Sequence, residues 1–434
     1  MLFNTGVFVR ILSAILFAGS LAACSAARSN PQLQPLSPAL LRTPQGADAI
    51  PSDLSALLGG DAFPTGADAF PLGPGASSVG SDAHASCTKT EDPEEARCHA
   101  QYRKSLAPNG NPATPASSVL GYHPSDLQSA YGLTGPAAQA GSDQTVAIIV
   151  AFHNPDLESD LGVYRATFGL SPCTSASGCL TVLSKTSVSH PAWAPEEVLD
   201  AEMISAICPN CKIMVVESQD AKLKTLASSV TLAASSGATE ISNSYSVPES
   251  RDLVQYAAQY HVNGIPITAG AGDQGYGVYF PAAFATVTAV GGTSLINSSR
   301  GWAEAVWPGT GSGCSEFIRK PSWQTDTGCS NRTVNDLALV ADPATGVSGY
   351  VSAVGGWTVF GGTSVGAQIV AAMYALAENG SNINDPSILY AQSSSFEAIF
   401  PRANGRCHPR YLCHGGTGYS GPGGLGMPTG LTAF

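Results

Sequence analysis

The sequence predicts an α/β domain with a mostly parallel sheet and helices on both faces. Two observations carry that expectation. From about residue 145 onward, short β-branched or apolar runs ending in turn residues alternate with longer helical patterns. The strand-type runs are short and mostly β-branched or apolar, as expected of strands covered on both faces. At 434 residues the chain is also long enough for one large domain plus extensions.

In chain order, Arg10 precedes an apolar run over 11–23. That run is too short to span a bilayer and has the length of a signal-peptide core. It ends in Leu21-Ala22-Ala23-Cys24, a pattern for cleavage before Cys24 and lipid attachment to its thiol. The plainer alternative is a soluble export signal cut nearby. Residues 24–86 are rich in Ala, Pro, Ser, Gly and Asp, and read as a flexible tether. A polar stretch containing Cys98-His99-Ala100 follows, up to residue 117. Strands are then expected at 146–151, 212–216, 238–242, 266–269 and 286–290. Helices are expected at 156–167, 195–207, 221–235, 251–261 and 364–377.

Composition narrows the function. Charged residues make up 12% of the chain, about half the usual share of roughly 25%. The net charge of −12 argues against nucleic acid, because no basic surface is available to neutralise phosphates. There are 11 cysteines, and setting Cys24 aside leaves ten. These fall into local pairs: Cys87 with Cys98, Cys173 with Cys179, Cys208 with Cys211, Cys314 with Cys329, and Cys407 with Cys413. Export fits such a disulfide set. Locality favours nearest-neighbour pairing, although sequence alone does not fix it. The Cys208-Pro209-Asn210-Cys211 unit can be redox-active or half a zinc site. No second C-x-x-C accompanies it, which favours a structural bridge.

The chemistry concentrates in three places. Phe360-Gly361-Gly362-Thr363-Ser364 precedes an apolar helical run, setting a hydroxyl beside unpaired helix N–H groups. Taken alone, such a serine is a helix cap. Glu196 and Asp200 stand four apart, on one helix face. A solvated acidic face is the alternative, since Glu197 and Glu202 share the helix; interleaved Val198, Leu199, Met203 and Ile204 turn at least one acid inward. Asp273 follows an expected strand in Ala271-Gly272-Asp273-Gln274-Gly275, where the bland reading is a turn cap.

Together with the motifs at 121–127, 241–245, 280–282, 290–294 and 341–343, in this order, these residues resemble the sedolisin family of serine-carboxyl peptidases. Gly291-Gly292-Thr293-Ser294 is a decoy copy of the serine turn. None of the eight histidines has the His-Gly-Thr setting of a conventional subtilisin. The resemblance implies a subtilisin-like catalytic domain over 118–434, with 87–117 a residual pro-segment or junction. Full-length relatives carry a large folded activation domain before that junction; the tether here is too short to be one. The implied activity is acid-active endopeptidase cleavage of peptide or protein substrates through an acyl-enzyme. Ser364 is the implied nucleophile, Glu196 its base with Asp200 sharing the proton, and Asp273 an oxyanion donor. The implied setting is an exported monomer, lipid-anchored through Cys24 on the cell envelope. The alternative is an inactive pseudo-protease lipoprotein that binds peptides or a partner protein.

The chain departs from the family pattern at three places. Gln368 stands where proline is frequent, and Val150 where an acid supports the catalytic glutamate. At the family's calcium site Ala398 and Ser420 replace two aspartates, leaving the carbonyls of Ile399, Gly416 and Gly418, with Glu397 a partial substitute. Calcium takes several hard, mostly anionic oxygens, so no calcium cofactor is expected.

Overall fold

The computed structural model describes residues 82–88, 90–103 and 109–434. The expected signal segment 1–23, Cys24 and nearly all of the tether lie outside the described residues.

An eight-stranded sheet forms the centre. Its order is Gly301–Val306, Val287–Ser298, Ile267–Gly270, Glu240–Asn243, Thr145–Ala151, Lys212–Ser218 and Leu180–Ser184, with Leu337–Val340 also paired to Val287–Ser298. Every pairing is parallel except that of Gly301–Val306. Val146 through Ala151 are buried without a break. Successive strand side chains point to opposite faces, so both faces of this strand are covered. The helix Thr363–Ala377 packs along Glu240–Asn243, Ile267–Gly270, Val287–Ser298 and Leu337–Val340, and against the helix Ala194–Ile207. Leu223–Ser235 covers Lys212–Ser218 and Thr145–Ala151. The expected α/β architecture is therefore present.

Differences from expectation are local. The helix expected at 251–261 is a 3₁₀ helix, Asp252–Tyr260. Only Leu253 and Tyr260 are buried along it, so packing does little to enforce the wider α turn. The strand expected to end at 290 continues to Ser298, and the decoy Gly-Gly-Thr-Ser lies wholly inside it. No helix follows that copy, because Leu295 and Ile296 extend the sheet into the pairing with Gly301–Val306. Leu180–Ser184 escaped the sequence reading because it is an edge strand with only Leu180 buried, and so shows no apolar run.

All five disulfides join nearest neighbours: Cys87–Cys98, Cys173–Cys179, Cys208–Cys211, Cys314–Cys329 and Cys407–Cys413. Cys208 and Cys211 are fully buried, as a structural bridge requires. At the C-terminal end, Phe396–Glu397 pairs with Met427–Pro428. Beside it Arg332 and Asp336 form a fully buried ion pair at 2.6 Å. Tyr390 donates its hydroxyl to the same carboxylate, at 2.8 Å.

Candidate active site

Residues at the carboxyl ends of parallel strands share one end of the sheet, where such folds gather their chemistry. Asp273 follows Ile267–Gly270 there, and Ser244 follows Glu240–Asn243. The helix bearing Glu196 and Asp200 is buried on every side, from Pro195 to Ile207. A solvated acidic face is thereby ruled out, since Glu196, Glu197, Asp200 and Glu202 are all inside.

The four acids separate by partner. Glu202 accepts the Tyr350 N–H at 3.1 Å. Glu197 lies against Glu217, whose carboxylate also engages His153 Nδ1 at 2.8 Å. Val150, where the family pattern has an acid, stands in register with that same Glu217 on the neighbouring strand. Asp200 accepts from Ser244 Oγ at 2.8 Å, and Ser244 in turn accepts from Gln368 Nε2 at 2.9 Å. The glutamine that breaks the family pattern is thus part of the acid network. Nothing in its sequence context marked it, because the link runs through a serine 124 positions away.

Ser364 is not the helix cap. Gly362 occupies that position, with φ of 103°, and Ser364 lies one residue inside the helix. Ser364 Oγ, Glu196 Oε1 and Asp200 Oδ2 are buried, and none completes a hydrogen bond of ordinary geometry. Ser364 and Asp200 nevertheless lie near enough to Glu196 to shift its hold on a proton. Native interiors rarely leave several polar atoms unpaired together, and such clusters point to chemistry. Asp273 does not cap its own turn. It accepts from the Thr363 N–H at 2.9 Å and Thr363 Oγ1 at 2.8 Å, tying itself to the serine turn.

A segment that sequence reasoning left as a junction runs through the middle of these residues. Arg97–Cys98 pairs antiparallel with Tyr245–Pro248, and Gln101–Arg103 pairs antiparallel with Gly356–Gly361. Between the two pairings, the His99 N–H donates to Glu196 Oε2 at 2.6 Å and to the Ser244 carbonyl at 3.2 Å. The Ala100 N–H donates to the same Glu196 oxygen. Gln101 Nε2 donates to Asp273 Oδ2 at 2.8 Å. A Cβ on Gly362 would come within 2.0 Å of the His99 carbonyl oxygen and 2.9 Å of Asp273 Oδ2. The serine turn therefore needs glycine there, both for its left-handed backbone and to admit that carbonyl.

Burial dominates the electrostatics. It pushes Glu196 up to about 7, against the nearby Ser364 hydroxyl, the Ala100 and His99 N–H bonds and the neighbouring Asp200, which favour the charged form. Burial, reinforced by the neighbouring Glu196, holds Asp200 well above the ordinary carboxyl range. Asp273 is raised by burial to about 6 despite its bonds to Thr363 and Gln101. Two close carboxyls that cannot both ionise cheaply share protons as a unit.

At the C-terminal end, Ala398 offers no side-chain oxygen, and the buried Ser420 Oγ accepts from the Gly423 N–H at 3.3 Å. Asp326 borders the cavity that Ala398 lines but is held by Lys320 at 2.6 Å and by Thr333 Oγ1 at 2.7 Å. This donor set does not fit calcium, which takes more anionic oxygen. Among the described residues one cluster of three ligand-type side chains exists, Cys407, Cys413 and His414, and two of these are joined in a disulfide.

No family model matches the chain. It is 28% identical to kumamolisin of Bacillus sp. (strain MN-32) over 379 residues, covering 77% of this chain and 67% of kumamolisin. It is 30% identical to sedolisin of Pseudomonas sp. (strain 101) over 172 residues, covering 36% of this chain and 28% of that protein. A solved structure of Pseudomonas sedolisin, a serine-carboxyl proteinase complexed with two molecules of pseudo-iodotyrostatin, matches with a TM-score of 0.61 at 22% identity. That match covers 72% of this chain and 96% of the sedolisin chain, and it shows the shared subtilisin-like fold. The likeness to these two known peptidases supports the sedolisin and kumamolisin family of serine-carboxyl peptidases for this chain.

Proposed function

We propose that the chain is an acid-active serine-carboxyl endopeptidase whose first substrate is its own His99–Ala100 bond. One observation carries this reading: a peptide of the chain itself lies extended across the cleft, with the N–H that would leave, that of Ala100, donated to Glu196. Ser364 Oγ attacks the carbonyl carbon, and its proton passes to the Glu196–Asp200 pair in its singly ionised form, whose population limits the rate at the acid end of the profile. The Ser364 N–H and a protonated Asp273 stabilise the oxyanion; a carboxyl donates only while protonated, which favours acid. As the C–N bond breaks, Glu196 returns the proton to the leaving nitrogen. Water, deprotonated by the same glutamate, then releases the acyl group and restores Ser364.

Under this reading 118–434 is the catalytic domain and 87–117 the pro-segment. Residues 1–23 form the signal, and Cys24 carries the lipid that holds the tether and a monomeric domain at the cell envelope. Five disulfides fit an exported protein. The site works without calcium, as the neutral Ala398 and Ser420 favour. A filled cleft also suits the second reading, a pseudo-protease that binds peptide without cutting. Purified wild-type and Ser364→Ala chains, incubated between pH 4 and 7, separate the two. The expected result is a new N-terminus at Ala100 in the wild type, with hydrolysis of added peptide, and an uncut Ser364→Ala chain. An uncut, inert wild type leaves the binding reading standing.

A further inference from the structure

The residue that fills the cleft beside the serine turn is His99, 1% exposed. Its ring lies between two hydroxyls, with Nε2 2.7 Å from Ser246 Oγ and Nδ1 3.2 Å from Thr363 Oγ1. The Thr363 hydroxyl donates its hydrogen to Asp273 Oδ1 and accepts the Gly272 N–H, so toward the ring it can only accept. That fixes the imidazole as the Nδ1–H form, and leaves Nε2 to accept from Ser246. The third wall is Gly270, where a Cβ would come within 2.8 Å of both His99 Nδ1 and Thr363 Oγ1. A glycine at that point makes the room in which the ring lies.

We propose that Ser246, Thr363 and Gly270 form a specificity pocket that selects a neutral histidine on the acyl side of the cleaved bond. The inference rests on the peptidase reading above and narrows its substrate class to peptides cut after histidine. Phenylalanine matches the ring in shape but pairs with neither hydroxyl. Lysine and arginine bring an unpaired charge into a closed, buried space. Burial, with the Arg97 charge adding to it, holds the His99 ring neutral, with its pKa lowered to about 3. Sites built to hydrogen-bond a substrate group discriminate strongly against analogues that lack it, because the site's own polar atoms are then left unpaired.

Two measurements on the full chain test the pocket. In the first, the self-processed wild type and Ser246→Ala are assayed on peptides spanning 94–103 that carry Cys98→Ser, with His, Phe, Leu or Lys at the position of His99. In the wild type kcat/KM for the histidine peptide should exceed that for phenylalanine by about tenfold or more. In Ser246→Ala the ratio should fall toward one. A wild-type ratio of one or below, or a ratio unmoved by Ser246→Ala, overturns the pocket while leaving the peptidase reading intact. The second measurement needs no turnover: ¹⁵N-histidine NMR of uncut Ser364→Ala, with His99 assigned by His99→Gln. A neutral Nδ1–H imidazole persisting below pH 5, and lost in the Ser246→Ala double variant, is expected. A His99 ring that titrates near its ordinary value overturns the proposal. If no peptide is cut, the peptidase reading fails, and the NMR result still decides the pocket.

Discussion

The two ends of the domain handle charge in opposite ways. At the cleft, Glu196 and Asp200 are buried together beside the half-buried Asp273, and Ser364 Oγ, Glu196 Oε1 and Asp200 Oδ2 lack ordinary partners. At the C-terminal end, the buried Asp336 is neutralised by Arg332 and accepts from Tyr390 and the Ala289 N–H, although Arg332 Nε lacks a partner. Ala398 and Ser420 there add no charge. The C-terminal acid is buried with an opposite charge against it; the cleft acids are buried with no ion pair among the described residues, and such groups change charge readily. On the proposed reading, the contrast separates a structural ion pair from a reactive acid cluster without any appeal to family.

The sharpest way to break that contrast is to remove the reacting atoms. Ser364→Ala and Glu196→Gln should each lower kcat by about a thousandfold or more, with little further loss in the double variant, because the residues act as one unit. Full activity in Glu196→Gln would discard the carboxyl base. Next in size is Asp273→Ala, which should cost about a hundredfold to a thousandfold, the usual loss for one oxyanion donor. Wild-type activity should fall as pH rises through about 6, where Asp273 gives up the proton it donates. Asp273→Asn, whose amide donates at any pH, should lose that limb of the profile. An unchanged limb assigns it to another group.

A smaller effect sharpens the boundary of the reactive region. Gln368→Ala and Ser244→Ala should each slow turnover by about tenfold and shift the acid limb, since both act on Asp200. Their combined effect should fall short of additive. A loss of stability with an unmoved pH profile would make the pair merely structural.

Stability gives the next test. Burial raises Glu240 and Glu304 to about 8 and holds Glu197 and Glu202 well above the ordinary range. The folded chain therefore binds more protons than the unfolded one between about pH 4.3 and 8. Stability should be fullest below about 4.3 and decline as pH climbs, with Tm lower at pH 8 than at pH 4.5 by on the order of 5 °C or more. A Tm that rises with pH would refute the assignment. The smallest expected effect is that of a chelator. An ion at a hundred times its Kd contributes about 2.7 kcal/mol, whereas here EDTA should leave Tm unmoved. A drop restored by calcium would show that backbone carbonyls and Glu397 suffice without the aspartates.

The sequence carried the sheet, the five cysteine pairs and the residues gathered at the cleft, because each has a local signature: an apolar run, a short spacing, or an acid four from an acid. It did not carry the passage of 97–103 through the cleft. That passage is written mainly in backbone hydrogen bonds to Glu196 and to two strands, which any residue can make. The Gln368–Ser244–Asp200 link was invisible for a related reason, since its members come from two helices and a strand end. The 3₁₀ turn at Asp252–Tyr260 has an α-helical pattern and too little buried surface to enforce it.

The Cys87–Cys98 bridge has a kinetic consequence. It closes a loop whose last residue immediately precedes His99. When the bond after His99 is cut, the new carboxyl end is not a loose tail. Much of the disorder that a linear product gains on release was removed when the bridge formed. Both cysteines lie on the same side of that cut, so the bridge does not tether the two pieces; it preorganises the departing one, which therefore leaves more slowly than a linear product. On the proposed reading, covalent closure within the departing piece thus lengthens the time a completed cut goes on occupying the cleft.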